Sequence, residues 1–419
     1  MFAALAKKNY TLLWLGQVVS MIGDWFLVVA LPFYIYQLTG SVLQTGIMYI
    51  VELLPRVLLG PVVGVFLDRW DKRKIMMITD LLRAVILLLM LLVRSADFVW
   101  IIYVVTILQA VMAQLFVPAS MALIPMLVEK EQLIGANALS SFSESVTRLI
   151  GPPLGGAMLA LLGLSGVVIA DSVTYLFSAC CIMLMAVQST SKGQEAVVAS
   201  GNALKRLWSE LLEGLVAIKQ SKVVVGIFVI MGIMMVGQGL MNVMLVPFIE
   251  QMLHADAMAF SWLLTAQGAG TLLGALLVST LTKKVKPVIL VSLGLISTGC
   301  TMLLLAFFPN LWLALGAIAI IGVLLAGCMV SIQTLLQISV DERYRGRVFS
   351  SFETIISLTM LVGLLASSGI GDRVGPAPLI AANGALAVIA ALVSLWLLRS
   401  ARFSEEATLS GAERVPVVE

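Results

Sequence analysis

The stretch GVFLDRWDKRK, residues 64–74, places six charged side chains in the seven positions from Asp68 to Lys74. The chain on either side is apolar for long enough to cross a bilayer, so the block reads as a loop between two spans. Working outward, the same pattern repeats. Of the 419 residues, 60% are hydrophobic and 12% charged, whereas an ordinary soluble domain carries roughly 25% charge. The apolar excess is gathered in blocks of about 18 residues or more, the length of a transmembrane helix.

Twelve blocks are legible, near 11–38, 42–67, 74–94, 99–127, 138–163, 166–188, 223–252, 259–282, 287–307, 311–338, 345–370 and 376–399. The first is too long for a signal-peptide core and no Ala-x-Ala-type sequence follows it, so it reads as an uncleaved span. An even number of spans puts both termini on one side. Of the 26 Lys and Arg residues, Arg56, Arg83 and Arg148 lie inside spans, only Arg94 and Arg373 fall on the far side, and the rest share the side of the termini. Positive charge stays in the cytoplasm, so both termini are expected there, in a bacterial inner membrane. Cys180, Cys181, Cys300 and Cys328 all fall within spans and are expected as buried free thiols.

The longest polar stretch divides the chain. The reading is a six-helix bundle over 1–188, a cytoplasmic linker over 189–222, a second bundle over 223–402 and a tail over 403–419. Within the linker, Leu204, Leu207, Trp208, Leu211, Leu212 and Leu215 recur at helical spacing, which predicts an amphipathic helix on the membrane surface and a tether between the halves. A shift of 210 residues superposes Gly60 and Gly64 on Gly270 and Gly274, Arg73-Lys74 on Lys283-Lys284, and SSF at 140–142 on SSF at 350–352. Parallel six-helix repeats with a substrate site between them are one established transporter plan. The fold class is therefore an all-α membrane protein of twelve transmembrane helices in two pseudo-symmetric bundles.

Gly64-x-x-x-Asp68-Arg69 followed by Lys72-Arg73-Lys74, between spans two and three, resembles the loop motif of the major facilitator superfamily. WLGQVVSMIGDWF, GANALSS, RGRV and the GPPLGG of span five (151–156) are similar to the branch of bacterial macrolide-efflux and siderophore-exporting permeases. The resemblance covers the whole chain and implies a monomeric exporter without a cofactor. It also implies that Asp68 latches the halves in the outward-facing state, and that Gly151, Pro152, Gly155 and Gly156 form an exporter motif. The chain departs from the pattern at Asp71, where the family loop has Gly, and in span four, which lacks the Arg of many proton-coupled exporters.

On physical grounds the loop separates into layers. Lys72, Arg73 and Lys74 orient the chain and meet anionic headgroups, Gly64 admits a close helix, and Asp68 pairs with Arg69 or meets the positive end of a helix. GPPLGG removes amide donors at Pro152 and Pro153, which predicts a kink.

Charge inside the spans is the sharper signal, since each residue costs roughly 2.5–3.5 kcal/mol at the bilayer centre. Glu52 and Arg56, and again Glu144 and Arg148, stand at i,i+4 in the favourable order. Asp171 and Glu353 are further embedded acids, and Arg83 is expected to pair with Asp80 near the interface. Asp24 has no base within a turn, so a raised pKa and a proton-carrying role are expected of it first and of Glu52 second. Met234 and Met235, with Gln238 and Asn242 on the same span, Gln109 and Gln114 on span four, and Gln333 and Gln337 on span ten are the expected substrate lining. Flexible thioethers and scattered amides suit varied amphipathic molecules.

Other chemistries lack their residues. No nucleotide-binding Gly-x-x-x-x-Gly-Lys-Ser/Thr, no Gly-x-Ser-x-Gly turn and no Cys/His metal spacing occurs, and the single histidine is His254 in an outer loop. Enzyme activity, a resident metal and nucleic-acid binding are not expected. The expected partners are a small amphipathic substrate, protons and membrane lipids. The leading expectation is a proton-coupled exporter of drug-like or macrolide-like molecules. The alternatives are export of a siderophore, movement of a lysolipid and, least favoured, a receptor on a transporter fold.

Overall fold

The computed structural model describes residues 2–67, 70–186, 218, 221–340 and 342–397. Among them every regular element is a helix, as the bilayer requires: hydrocarbon offers no partner for a free amide or carbonyl, so each span must satisfy its own backbone. The spans are α1 (Lys8–Thr39), α2 (Val42–Leu67), α3 (Lys72–Leu87) and α4 (Val99–Leu127), then the long element Leu133–Met183. They continue with α7 (Lys222–Pro247), α8 (Ala257–Lys284), α9 (Pro287–Phe307), α10 (Leu311–Ser339), α11 (Glu342–Val374) and α12 (Pro376–Leu397).

Eleven of the described helices are long and apolar enough to cross a membrane, but Leu133–Met183 holds two spans. Its backbone leaves helical geometry at Gly163, with φ 64° and ψ −171°, a conformation that costs glycine least. The arms on either side, 133–162 and 164–183, are α5 and α6. The expected break between spans five and six falls at this residue. Pro152 and Pro153 leave the helix continuous, so the non-helical residue within Leu133–Met183 is Gly163 and not the proline pair. Elsewhere, local signals set the ends. Gly40 closes α1 in the left-handed region, its amide donating to the Tyr36 carbonyl at 2.7 Å. Asn310 caps α10, accepting from the amides of Trp312 and Leu313 at 3.0 and 3.1 Å.

Small residues decide which helices pair, because between spans the attraction is close packing and not the exclusion of water. In the first set α1 lies against both arms: Gly16 meets Ser178 and Gly23 meets Asp171 and Thr174 on α6, while Gly155 on α5 sits against the backbone of Trp25 and Phe26. In the second set Gly270 and Gly274 on α8 face α10, Gly239 faces Gly363 between α7 and α11, and Gly299 faces Gly384 between α9 and α12. The sets touch along α2–α11 and α5–α8.

A cluster of buried side chains spans both sets, with Phe33, Tyr36 and Val42 on one side and Phe248, Phe260 and Leu364 on the other. The Phe33 and Phe260 rings stand 5.4 Å apart. This seam lies at the end opposite the basic loops.

Two of the cysteine expectations need correcting. All four are free, and Cys181 and Cys328 are buried, but Cys180 and Cys300 are exposed on outer helix faces, where apolar side chains cost nothing in lipid. The amphipathic segment 204–215 lies outside the described residues.

A Cβ placed on Gly155 would lie 3.0 Å from both the Trp25 carbonyl oxygen and the Phe26 Cα. These are backbone atoms that cannot rotate away. Gly155→Val is therefore expected to cost about 1–3 kcal/mol through overpacking, read as a lower thermal midpoint of the purified protein, while Leu154→Val on the exposed face of the same turn leaves it unchanged.

Candidate functional site

Beneath the seam, α7, α8, α9, α10 and α12 enclose a cavity in the second set of about 130 Å³. That is below the roughly 300–1,000 Å³ of a complete drug-sized pocket, room for only one portion of such a molecule. Met234, Met241 and Met302 supply adaptable apolar wall; Gln238, Asn242, Gln267 and Asn383 bring amides, and Thr298 a hydroxyl. Among the described residues no charged side chain lines it. Gln238 Nε2 donates to Asn242 Oδ1 at 2.8 Å, which leaves the Gln238 carbonyl and the Asn242 amide group for a ligand.

The structure divides the residues expected to line a substrate site. Met234, Gln238 and Asn242 line the cavity, whereas Met235 packs beside the buried cluster around Phe228 and Leu335. Gln109 belongs to the interior of the first set, where its Nε2 donates to the Arg83 carbonyl at 2.9 Å. Gln114 is half-buried on α4, and Gln333 and Gln337 are exposed on α10; none of the three reaches the cavity. Gln267, Thr298 and Asn383 lie on three different spans, and nothing in the sequence of any one of them marks the residue as facing a cavity. Only the packing of five helices brings them together.

The embedded ion pairs also differ in part. Glu144 and Arg148 pair along α5 at 3.6 Å, as their spacing predicts. Arg56, however, reaches across to Glu353 of α11 at 3.3 Å and not to Glu52 one turn away. The crossing is about 20 Å along α2 from its far end, at 1.5 Å per residue, and both side chains are roughly two-thirds exposed. Glu52 stands open on α2 with no ion partner among the described residues. Asp24 on α1 is half-buried and accepts a hydrogen bond from the Tyr175 hydroxyl of α6.

Polar contacts reinforce the seam at the far end. Asp372, in the last turn of α11, accepts from the Ser41 hydroxyl at 3.0 Å and the Val42 amide at 2.6 Å, so one set caps a helix of the other. Gln37 donates to Glu250 at 3.2 Å, and Gln251 to the Tyr36 hydroxyl at 2.5 Å.

In the charged loop, Asp68 and Arg69 lie outside the described residues, and Gly64 falls within α2. Its neighbours have clear tasks. Asp71, the departure from the family Gly, caps α3 by accepting from the amides of Arg73 and Lys74 at 3.0 and 3.2 Å. Arg73 is more than a headgroup contact: its Nε and an Nη donate to the carbonyls of Ile182 and Met183 at 3.0 and 2.7 Å, closing the end of α6. Lys74 is exposed. In the other motif Gly151 lies against the Trp25 ring, Pro152 is buried, Gly155 meets Trp25 and Phe26, and Gly156 faces Ser261 of α8. The motif thus touches both sets.

Residues 1–416 match the family described as transmembrane secretion effector, of the major facilitator type. The chain belongs to that family. It is a multi-pass membrane transporter of the efflux type and not an enzyme. Among its relatives, macrolide efflux protein A of Streptococcus pyogenes is 26% identical over 92% of this chain and 95% of its own length. The enterobactin exporter EntS of Escherichia coli O1:K1 / APEC is 24% identical over 93% and 92%. In fold, the transporter resembles the crystal structure of the nucleoside transporter NupG, with a TM-score of 0.76 at 10% identity over 93% of this chain and 99% of that one.

The Arg56–Glu353 bridge is solvated, so its worth is small. A double-mutant cycle of Arg56→Ala and Glu353→Ala is expected to give a coupling of about 1 kcal/mol or less in thermal stability. A larger coupling would mean that the bridge is shielded from water.

Proposed function

We propose that this transporter is a secondary active exporter that exchanges protons for an uncharged or weakly cationic amphipathic molecule of drug-like or macrolide-like size. The observation that carries the reading is the cavity wall: methionines and four amide side chains, with no charge to neutralise. A flexible apolar surface with a few hydrogen-bonding groups accepts varied ring systems and selects by shape and amide pairing. An anionic cargo such as a siderophore is less well served. The two arginines of the central helices, Arg56 and Arg148, are each engaged by a glutamate, so an anion would have to break a pair to gain a partner.

The side of opening follows from charge. With the basic loops in the cytoplasm, the seam of Phe33, Phe260 and Asp372 closes the transporter toward the outside, and cargo enters from the cytoplasm or the inner leaflet. Asp68, by resemblance, would latch the opposite end once the halves rock over, and the GPPLGG segment would slide where it touches both sets. Two bundles with no soluble domain described between them suit a monomer in a bacterial inner membrane.

Uptake into inside-out proteoliposomes with an acid interior is the direct test, using a macrolide, a lipophilic cation dye and a siderophore in parallel. The expected outcome is accumulation of the macrolide or the dye that collapses when the pH gradient is dissipated. Gln238→Leu or Asn383→Leu should weaken the apparent affinity about fivefold, the worth of one hydrogen bond near 1 kcal/mol, with little change in maximal rate. Accumulation of the siderophore alone would replace the cargo class, and transport indifferent to the gradient would remove the exchange.

A further inference from the structure

Among the described residues, the charged side chains that are buried are Asp80, Arg83 and Asp171, and all three meet at one place in the first set. Helix α3 brings Asp80 and Arg83 one turn apart, and α6 brings Asp171 and Tyr175 one turn apart. Asp24 enters from α1. Asp80 and Asp171 are 0% exposed and Tyr175 2%. The Arg83 guanidinium lies over two rings, 5.1 Å from the centre of Tyr175 and 5.7 Å from that of Phe116.

Hydrogen bonding in the cluster is incomplete. No ion pair joins Arg83 to any of the three acids, although all three lie within electrostatic range of it. Its Nε has no partner, nor does either oxygen of Asp80 or the Oδ2 of Asp171. Thr174 donates to Asp171 Oδ1 at 3.0 Å, and Tyr175 donates to Asp24. The other polar groups placed against it are the Ser178 hydroxyl beside Asp80 and the amide of Gln109, which is spent on the Arg83 carbonyl and leaves its own Oε1 unpaired.

Three carboxyls around one guanidinium would carry a net charge of −2 if all were ionised. Each unpaired ion in such a place costs several kcal/mol and repels its neighbours besides, which together offset the about 4 kcal/mol of protonating an ordinary carboxylate at neutral pH. Balance is reached with two protons among three acids. Of the sealed pair, Asp80 lacks a hydrogen-bond donor on both carboxylate oxygens and Asp171 on Oδ2. Asp24 has a donor in Tyr175 and is only half-buried, so it is the member that suits the ionised form and can meet water.

We propose that Asp24, Asp80 and Asp171, arranged around Arg83 and Tyr175, form the proton-carrying site of the exporter. In this conformation Asp80 and Asp171 hold protons, and Asp24 is the member that exchanges one with water. The step is a proton transfer between water and the Asp24 carboxylate, with no other bond made or broken. It reaches the moving parts by a short route. Residues 25 and 26, next to Asp24, are those against which Gly151 and Gly155 pack, and Gly156 on the same helix abuts Ser261 of the second set. A shift of α5 during alternation therefore moves the wall of the site. This inference rests on the exchange proposed above and adds to it which side chains carry the proton.

The test uses full-length protein in lipid nanodiscs and infrared difference spectroscopy, following the carbonyl stretch of protonated carboxylic acids and its shift in heavy water. At neutral pH the wild type is expected to show this band. Asp80→Asn or Asp171→Asn should remove about half of the cluster's share, because one proton then balances the remaining charges, and Arg83→Gln should enlarge it by about half. Absence of the band in wild type, or a band indifferent to these substitutions, overturns the proposal, and the wild-type spectrum decides even if a variant fails to fold. In proteoliposomes, Asp24→Asn is expected to lose gradient-driven accumulation while keeping downhill counterflow of the substrate. Expected spectra alongside wild-type transport indifferent to the gradient would sink the exchange itself. Expected spectra with coupling intact in Asp24→Asn would leave the exchange standing and remove this site from it.

Discussion

Charge inside a bilayer must be paired, shared or protonated, and the structure answers that demand differently in its two halves. The second set lines its cavity without any charge and relies on amides. The first set gathers its buried charge at one place, where one guanidinium faces three carboxyls. Between them, the ion pairs Glu144–Arg148 and Arg56–Glu353 stand solvated, so their desolvation cost is small and they can break and re-form. The cavity thus lies in one half and the buried charge in the other, joined by the aromatic seam, by small residues and by short polar contacts.

Those joints are built to separate. Asp372 caps α2 across the seam, Gly46 faces Ser368 and Gly156 faces Ser261. Contacts of this kind hold backbones close without long side chains interlocking, so a rigid-body shift breaks few of them. Within each set the pairs are tighter, backbone against backbone at Gly239–Gly363 and Gly299–Gly384. Backbone-close pairing inside each set, with side-chain and short polar contacts between the sets, fits a rocking transport cycle.

Much of the fold was legible in the residues. Span lengths follow from the thickness of hydrocarbon, and the non-helical Gly163 is the residue at which the expected fifth span ends, three before the sixth begins at 166. The cavity lining was legible only in part. Met234, Gln238 and Asn242 share one methionine-rich helix, whereas Gln267, Thr298 and Asn383 come from three others and meet only when the helices pack. Helix rotation could not be read for Gln333 and Gln337, because in an all-apolar span no amphipathic stripe marks the inward face. Arg56 was misassigned for a related reason: i,i+4 spacing shows which partner is near on the same helix and is blind to one on a neighbouring helix.

The amino-acid sequence alone determined that the chain spans a membrane, that it is a repeat of six helices, and that it resembles exporters, because these rest on local hydropathy and contiguous motifs. It also showed that acids outnumber bases within the spans. Only the tertiary structure decided that Asp24, Asp80 and Asp171 share one guanidinium, that Gln109 serves this cluster and not the cavity, and that Arg56 answers Glu353. Pairing in a low-dielectric interior depends on distances of a few ångströms between side chains of different helices, and those distances exist only once the helices are packed.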